Sequence, residues 1–158
     1  MRIVEFLRPE DVVPELYGEN PDEVLAELSR PFSRHGLDPQ QVLEILLRRE
    51  GLGSTGIGDG VAVPHGMLPL GISAPPPGLF GAFGRSRSGI DFKALDGKPT
   101  RFFFALVVAE SGSGPHLRAL AAVSRIFRSA PFREAILDSK DAAEIYRRIV
   151  EADAADNA

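Results

Sequence analysis

Apolar and polar positions in the first fifty residues predict two helices separated by a short turn. Asn20-Pro21 followed by two acidic residues is typical of a helix N-terminus, and Gly36 ends this segment. A second helix begins in the same way at Asp38-Pro39 and ends at Gly51. The apolar face of the first helix consists of Val24, Leu25, Leu28 and Phe32. Apolar positions cover most of the second helix, which predicts that it is well buried.

The β-type runs lie in the middle of the chain, with one near its start. Residues 61–63 are Val-Ala-Val and predict a short strand that the following proline ends. Residues 101–108 form a continuous apolar run, which is typical of a strand buried on both faces. A further strand is predicted at residues 79–83. Residues 12–16 predict an edge strand, because Pro14 interrupts them.

A helical pattern returns after a loop rich in Gly and Ser, which we predict at residues 110–115. His116 opens the first of three further helices, and the other two are predicted at residues 131–137 and 141–151. The order of helices, strands and helices, with mixed spacing, indicates an α/β fold. The fold class that follows is a sandwich built on a mixed β-sheet.

Length and composition fit one ordinary globular domain. At 158 residues the chain can bury one substantial core, so we expect a single domain over residues 1–152 and a frayed tail at residues 153–158. The net charge of −4 and the scattered basic residues argue against a nucleic-acid partner. No apolar run approaches the ~20 residues of a membrane span, which argues against direct membrane insertion. With no signal-peptide pattern, the cytoplasm is the expected location.

Residues 49–66 carry the densest chemical signal. They end a helix with Arg49, pass through a loop with five glycines and enter a short strand that delivers His65 at a Pro-His-Gly corner. The sequence of residues 51–56 matches the G-x-G-x-x-G motif of dinucleotide-binding proteins, but its structural context does not. That motif needs a strand before the glycines and a helix after them, and here the order is reversed. The glycines fit either a tight connector with positive φ angles or a loop that another protein or a phosphate oxygen approaches closely.

Two of the three histidines are candidates for chemistry. His65 ends a strand of an α/β fold, where such folds place reactive side chains. His116 begins a helix, whose N-terminus attracts anions and keeps an imidazole neutral. The ordinary alternative for each is a solvated or hydrogen-bonded structural histidine. His35 precedes Gly36 and is most simply a cation at a helix C-terminus. Because His-x₃-His spacing and cysteine are both lacking, no metal is expected.

The run Arg-Glu-x₃-Ser-Thr-Gly-Ile-Gly-x-Gly-Val-Ala-x-Pro-His-Gly at residues 49–66 resembles the signature of a known family. That family is the type-2 enzyme IIA domains of the bacterial phosphoenolpyruvate-dependent sugar phosphotransferase system, the fructose/mannitol class that includes the nitrogen-related enzyme IIA. Residues 90–99 and 116–121 are similar to its further motifs. The resemblance implies a mixed β-sheet flanked by helices on both faces. It also implies that His65 accepts a phosphoryl group, with His116 and Arg49 in the same site.

Phosphoryl transfer needs in-line positioning and charge stabilisation more than acid–base work. On this interpretation His65 is neutral, with one ring nitrogen free to attack and the other N–H held by a backbone carbonyl. Arg49 offsets the phosphoryl charge, and His116 donates a hydrogen bond to a phosphoryl oxygen. The hydroxyls of Ser54 and Thr55 orient the ring or the phosphoryl group. The chemistry requires no cofactor.

The resemblance implies two kinds of protein partner. The phosphoryl donor is the histidine-containing phosphocarrier protein. The receiver is an enzyme IIB domain or, where the phosphoryl group is kept as a regulatory mark, a regulated target protein. The stand-alone length of the chain favours the nitrogen-related type. The alternative is an enzyme IIA-like binding module that no longer transfers a phosphoryl group, and the presence of Arg49, His65 and His116 argues against it.

Overall fold

The computed structural model describes residues 1–69, 71–72, 74–109 and 113–157, and within them it has six strands and five α-helices. The strands are β1 (Val12–Val13), β2 (Gly56–Gly58), β3 (Val61–Ala62), β4 (His65–Met67), β5 (Leu79–Ile90) and β6 (Thr100–Val108). The α-helices are α1 (Pro21–Ser29), α2 (Pro39–Glu50), α3 (Ser113–Phe127), α4 (Ala130–Asp138) and α5 (Ala142–Asp156). Short 3₁₀ helices occupy Ile3–Glu5, Pro9–Asp11 and Arg30–His35.

The strands form one mixed sheet in the order β1-β5-β6-β3-β2, with β4 also paired to β6. β5 and β6 are antiparallel and form the centre of the sheet. β3 and β4 both run parallel to β6 along its other side, β3 beside Phe102 and β4 beside Leu106. β1 pairs in parallel with β5 at one edge. The predictions of a mixed sheet and of an edge strand near Pro14 are therefore confirmed.

β6 is buried on both faces, as its continuous apolar run predicts, and it supplies alternate residues to two hydrophobic cores. Phe102 and Phe104 belong to the core that also contains residues of α3, α4 and α5. Phe103 and Ala105 belong to the core that contains residues of α1 and α2. Helices therefore cover both faces of the sheet, which confirms the α/β/α sandwich. In the part of the chain that the structure describes, no helix is both long and apolar enough to span a bilayer.

The two N-terminal helices begin where their caps predict. The Asn20 side chain accepts a hydrogen bond from the Glu23 backbone N–H at 2.9 Å, which satisfies one of the N–H groups at the start of α1. The first predicted helix, however, is divided: α1 ends at Ser29, and a 3₁₀ helix continues to Gly36, whose φ is +79°. Pro31 explains the change, because it has no N–H to donate to the carbonyl four residues earlier.

β5 is longer than the predicted strand at residues 79–83, because it continues to Ile90. Its glycines lower β-propensity but are required by close packing. A Cβ on Gly84 would lie 2.7 Å from Leu16 Cδ1 and 2.9 Å from Leu28 Cδ2. The glycine therefore allows α1 and the segment after β1 to pack directly against the sheet.

Helix boundaries near the C-terminus differ from the sequence prediction in two places. α3 begins at Ser113, so the loop predicted at residues 110–115 is wrong for residues 113–115, while residues 110–112 lie outside the described part of the chain. α5 continues to Asp156, so the frayed tail predicted from residue 153 is also wrong up to that point. The reason is that Asp153 is buried and accepts a hydrogen bond from the Ile3 backbone N–H at 2.6 Å.

Candidate functional site

His65 begins β4 at the side of β6, and its neighbours are held by backbone hydrogen bonds. The backbone N–H of Leu106 donates to Pro64 O at 2.9 Å, immediately before the histidine. The imidazole Nδ1 lies 2.8 Å from Val63 O. Because a carbonyl oxygen can only accept, this contact requires the hydrogen to be on Nδ1. In the neutral ring, the lone pair is then on Nε2, which is the nitrogen left for chemistry.

His116 lies in the first turns of α3, and its ring is beside that of His65. The two ring centroids are 5.0 Å apart and the ring planes make an angle of 51°. Burial lowers the pKa of His116, and the unfavourable interaction of its charged form with the neighbouring His65 ring lowers it further. His116 Nδ1 is buried and has no hydrogen-bond partner among the residues that the structure describes. A lowered pKa keeps this imidazole neutral near pH 7, so it can donate one hydrogen bond and accept another.

Arg49 is placed in the last turn of α2, at the entrance to the glycine-rich loop. Its Nη1 donates to Gly53 O at 2.9 Å, which uses one of the five N–H donors of the guanidinium. α2 packs closely on the strand that carries His65, because a Cβ on Gly66 would overlap Ile45 Cγ2. The fold therefore packs the middle of α2 against β4, while the hydrogen bond of Arg49 itself is to the loop.

The hydroxyls of Ser54 and Thr55 serve the loop itself. Ser54 Oγ donates to Phe92 O at 2.6 Å and accepts from the Gly56 backbone N–H at 3.0 Å. Thr55 Oγ1 donates to Glu50 Oε1 at 2.6 Å. Since each hydroxyl has one hydrogen, neither has one left to donate to a phosphoryl oxygen. These contacts leave neither hydroxyl hydrogen for a phosphoryl oxygen, and a role in orienting the His65 ring stays a prediction.

Glu50 is the residue in this region to which the sequence patterns assigned no role. Its carboxylate accepts from both the Thr55 hydroxyl and, at 2.8 Å, the Thr55 backbone N–H. A signal was present in the sequence, because an acidic residue in the last turn of a helix is disfavoured by the helix dipole. An acid at that position therefore needs a compensating partner, and Thr55 supplies two hydrogen bonds.

Neither histidine lines the cavity next to the glycine-rich loop. That cavity, of about 400 Å³, lies between the start of α1, the end of α2 and the segment after β5, and its lining includes Glu50, Ser54 and Lys93 but neither His65 nor His116. Over the described ranges, 1–69, 71–72, 74–109 and 113–157, no group of three or more His, Asp or Glu side chains is arranged to hold a metal ion. Both histidines are partly exposed.

His35 ends the 3₁₀ helix immediately before Gly36, as predicted, and its ring is also bound to a side chain from another element. Its Nε2 lies 3.1 Å from Asp11 Oδ1, and both side chains are almost completely buried. The ring also packs against Phe80, with centroids 5.1 Å apart. Because its partner is a side chain in a different element, His35 links the 3₁₀ helix that carries it to the N-terminal segment of the chain.

The fold and the paired histidines together define the class: an α/β sandwich domain that presents a hydrogen-bonded imidazole at the side of its sheet. The chain belongs to the family described as "Phosphoenolpyruvate-dependent sugar phosphotransferase system, EIIA 2", whose family model matches residues 5–152. The resemblance inferred from residues 49–66 is therefore confirmed, and the protein is an enzyme IIA-type domain of that system.

Individual relatives agree with this assignment. The chain is 36% identical over 147 residues to a nitrogen regulatory protein of Bradyrhizobium diazoefficiens, an alignment that covers 92% of this chain and 93% of the relative. The crystal structure of nitrogen regulatory protein IIA-Ntr from Neisseria meningitidis superposes with a TM-score of 0.83 and 32% identity, covering 93% of this chain and 98% of that one. Enzyme IIAMTL from Escherichia coli, in its complex with phosphorylated enzyme IIBMTL, has the same fold, with a TM-score of 0.74 and 16% identity over 92% and 97% of the two chains.

Proposed function

We propose that this protein carries a phosphoryl group on Nε2 of His65, which it accepts from the histidine-containing phosphocarrier protein. The observation that carries the proposal is the 2.8 Å contact between His65 Nδ1 and Val63 O. It fixes the tautomer whose Nε2 has a lone pair, and a nucleophilic imidazole must be neutral with that pair available. Both histidines are partly exposed, which suits a donor that is itself a protein.

The transfer of the phosphoryl group needs no acid–base catalyst, because no proton has to move. The Nε2 lone pair of His65 forms an N–P bond while the N–P bond of the donor phosphohistidine breaks, and that electron pair returns to the donor imidazole. Nδ1 keeps its hydrogen and its bond to Val63 O throughout. The transition state is loose, so the protein contributes mainly by holding the attacking nitrogen in line and by stabilising the equatorial oxygens.

Arg49 and His116 are the residues that we assign to those oxygens. The guanidinium of Arg49 has donors beyond the one that binds Gly53 O, and a charge-assisted hydrogen bond to a phosphoryl oxygen is about twice as strong as a neutral one. His116 is 5.0 Å from His65, ring centre to ring centre, and is kept neutral by its lowered pKa.

We infer a regulatory role in the cytoplasm downstream of this transfer. The Bradyrhizobium and Neisseria relatives are both nitrogen regulatory proteins, and each is covered almost completely by this chain. The complex of enzyme IIAMTL with phosphorylated enzyme IIBMTL supports an enzyme IIB domain as the other kind of partner. A binding module that no longer transfers phosphoryl groups is the alternative, and the hydrogen-bonded tautomer of His65 argues against it.

The test is the intact mass of the protein after incubation with phosphoenolpyruvate, enzyme I and the phosphocarrier protein. We expect the wild type to gain one acid-labile phosphoryl group and His65→Ala to gain none. His35→Gln is the matched control, because it removes a histidine outside the site while its amide can still donate to Asp11. No gain by the wild type, or a gain that persists in His65→Ala, would contradict the proposal.

A further inference from the structure

The carboxylate of Glu50, the last residue of α2, is bound at both oxygens by one residue of the glycine-rich loop. Oε2 accepts from the Thr55 backbone N–H at 2.8 Å and Oε1 from the Thr55 hydroxyl at 2.6 Å. Thr55 is 5% exposed, so these bonds are shielded from competing water. Two hydrogen bonds to one ionised carboxylate fix the orientation of Thr55 as well as its distance from α2.

Thr55 is in turn bound to the residue that binds His65. The backbone N–H of Val63 donates to Thr55 O at 3.1 Å. The carbonyl of the same Val63 is the acceptor 2.8 Å from His65 Nδ1. A continuous chain of hydrogen bonds therefore runs from the Glu50 carboxylate through Thr55 and Val63 to the His65 ring. Arg49, the residue before Glu50, binds Gly53 O, so adjacent residues of α2 hold successive parts of the loop.

We propose that Glu50 is a positioning residue for His65. Acting through Thr55, it holds Val63 so that its carbonyl oxygen faces His65 Nδ1, which keeps the hydrogen on Nδ1 and the lone pair on Nε2. Loss of this constraint frees the ring to turn and to adopt the other tautomer, in which Nε2 carries the hydrogen and cannot attack. The inference rests on the proposed function, since the position of the lone pair affects the reaction only if Nε2 accepts the phosphoryl group.

The sheet supplies a competing constraint on the same carbonyl. β3 ends one residue before Val63 and is paired with β6, and Pro64 O, one residue after it, accepts from Leu106. If those bonds alone set the Val63 carbonyl, Glu50 would affect only the stability of the loop. The two possibilities differ in what happens to the His65 ring when Glu50 is changed.

The decisive measurement compares Glu50→Ala and Glu50→Gln with Glu44→Ala, an exposed glutamate on the same helix. The tautomer of His65 is read from the ¹⁵N NMR shifts of its ring nitrogens in the absence of any donor. The kcat and KM of phosphorylation are then measured with the phosphorylated phosphocarrier protein as substrate. We expect Glu50→Ala to lower the population of His65 that carries its hydrogen on Nδ1. The expected loss in kcat is about tenfold, equivalent to weakening the one hydrogen bond between His65 Nδ1 and Val63 O, with KM unchanged. Glu44→Ala should match the wild type.

The glutamine variant separates geometry from charge. Its amide oxygen can accept from the Thr55 N–H while its NH₂ donates to Thr55 Oγ1, so we expect both the tautomer and kcat to recover. Thr55→Val removes the hydroxyl donor alone and should give a smaller loss, about threefold in kcat. This variant also keeps the test decisive if Glu50→Ala fails to fold.

Three results would overturn the role assigned to Glu50. They are an unchanged His65 tautomer in folded Glu50→Ala, an equal loss of kcat in Glu50→Gln and Glu50→Ala, or a rise in KM with no change in kcat. The NMR measurement needs no phosphoryl donor. A wild type that accepts no phosphoryl group would therefore contradict the proposed function while leaving the effect of Glu50 on the tautomer separately readable.

Discussion

Arg49 lies where α2 ends and the glycine-rich loop begins, and its side chain connects the two. One N–H binds Gly53 O, and the planar guanidinium keeps further donors in a fixed arrangement. A phosphoryl group presents several oxygens at once, and arginine binds such groups with two parallel hydrogen bonds where lysine acts as a point charge. The arginine is therefore expected to matter through its shape as well as its charge.

We expect Arg49→Ala to slow phosphorylation of His65 about 100-fold, comparable to the loss of one preorganised donor in other transfer enzymes. Arg49→Lys keeps the charge and should still lose about tenfold, because the fork of donors is gone. The rate of transfer from the phosphorylated phosphocarrier protein measures both. Arg48→Ala, an exposed neighbour on the same helix, is the control. A normal rate in Arg49→Lys would show that charge alone is required.

For individual residues, the sequence patterns identified the two neighbouring histidines but not the hydrogen-bond partners of the polar side chains. A predicted strand end and helix start were enough to make His65 and His116 candidates, and their rings do lie side by side, but the strand end was wrong, because His65 begins β4. The hydroxyls of Ser54 and Thr55 could not be assigned from sequence, because each is used by a partner that the fold brings close. For Ser54 that partner is Phe92 O, 38 residues along the chain.

Among the elements, α4 depends on a residue from the sheet. Arg85 of β5 is fully buried, and its guanidinium donates to the carbonyls of Ile136 and Ser139 at 2.8 and 2.7 Å. Both carbonyls are at the C-terminal end of α4, where that of Ile136 also accepts from the Ser139 backbone N–H and that of Ser139 lies beyond the helix. Arg85 Nε also donates to Pro14 O at 3.0 Å, so one side chain joins α4 to the segment after β1.

We expect Arg85→Met to lower the free energy of unfolding by about 3 kcal/mol, because it removes the Arg85 donor from the buried Ser139 carbonyl and the part-buried Pro14 carbonyl and weakens the bonding of Ile136 O. Arg87→Ala is the matched control. Arg87 shares the Glu15 carboxylate with Arg85 but is about half exposed, at 52% of its side-chain surface. Its loss should lower stability by at most about 1 kcal/mol. Urea denaturation of the two variants and the wild type gives the comparison, and equal losses would contradict a special role for the buried arginine.

The elements that the sequence predicted least well are those whose residues are determined by packing against residues distant in the chain. β5 contains glycines that disfavour a strand locally, yet Gly84 is required by the side chains of Leu16 and Leu28. α3 begins before Pro115 because proline is tolerated in a first helical turn, where its missing N–H would have no intrahelical partner. By contrast, α2 and β6 were predicted closely, since caps and a continuous apolar run are local signals.

Over the whole molecule, the histidine pair joins two layers of the sandwich. His65 belongs to the sheet, while His116 belongs to α3, which packs into the core formed with α4 and α5. Arg49 belongs to α2, whose apolar face contributes to the other core. The distance between the two rings therefore depends on how α3 packs on the sheet. A charge on His116 would have to be accommodated within that packing.

This coupling predicts how stability depends on pH. Burial and the neighbouring His65 lower the pKa of His116 below its ordinary value of 6.5, so the unfolded chain binds this proton more readily than the folded one. The contribution of neutral His116 to the free energy of unfolding is then fully present above about pH 6.5. It is lost as the pH falls toward the pKa of His116 in the folded protein. We expect the melting temperature of the wild type to fall more than that of His116→Gln between about pH 7.5 and about pH 5.5. The comparison of the two proteins cancels the titration of other groups that the substitution leaves alone. Parallel melting curves over this range, or a larger loss in the variant, would show that the folded structure does not disfavour a charge on His116.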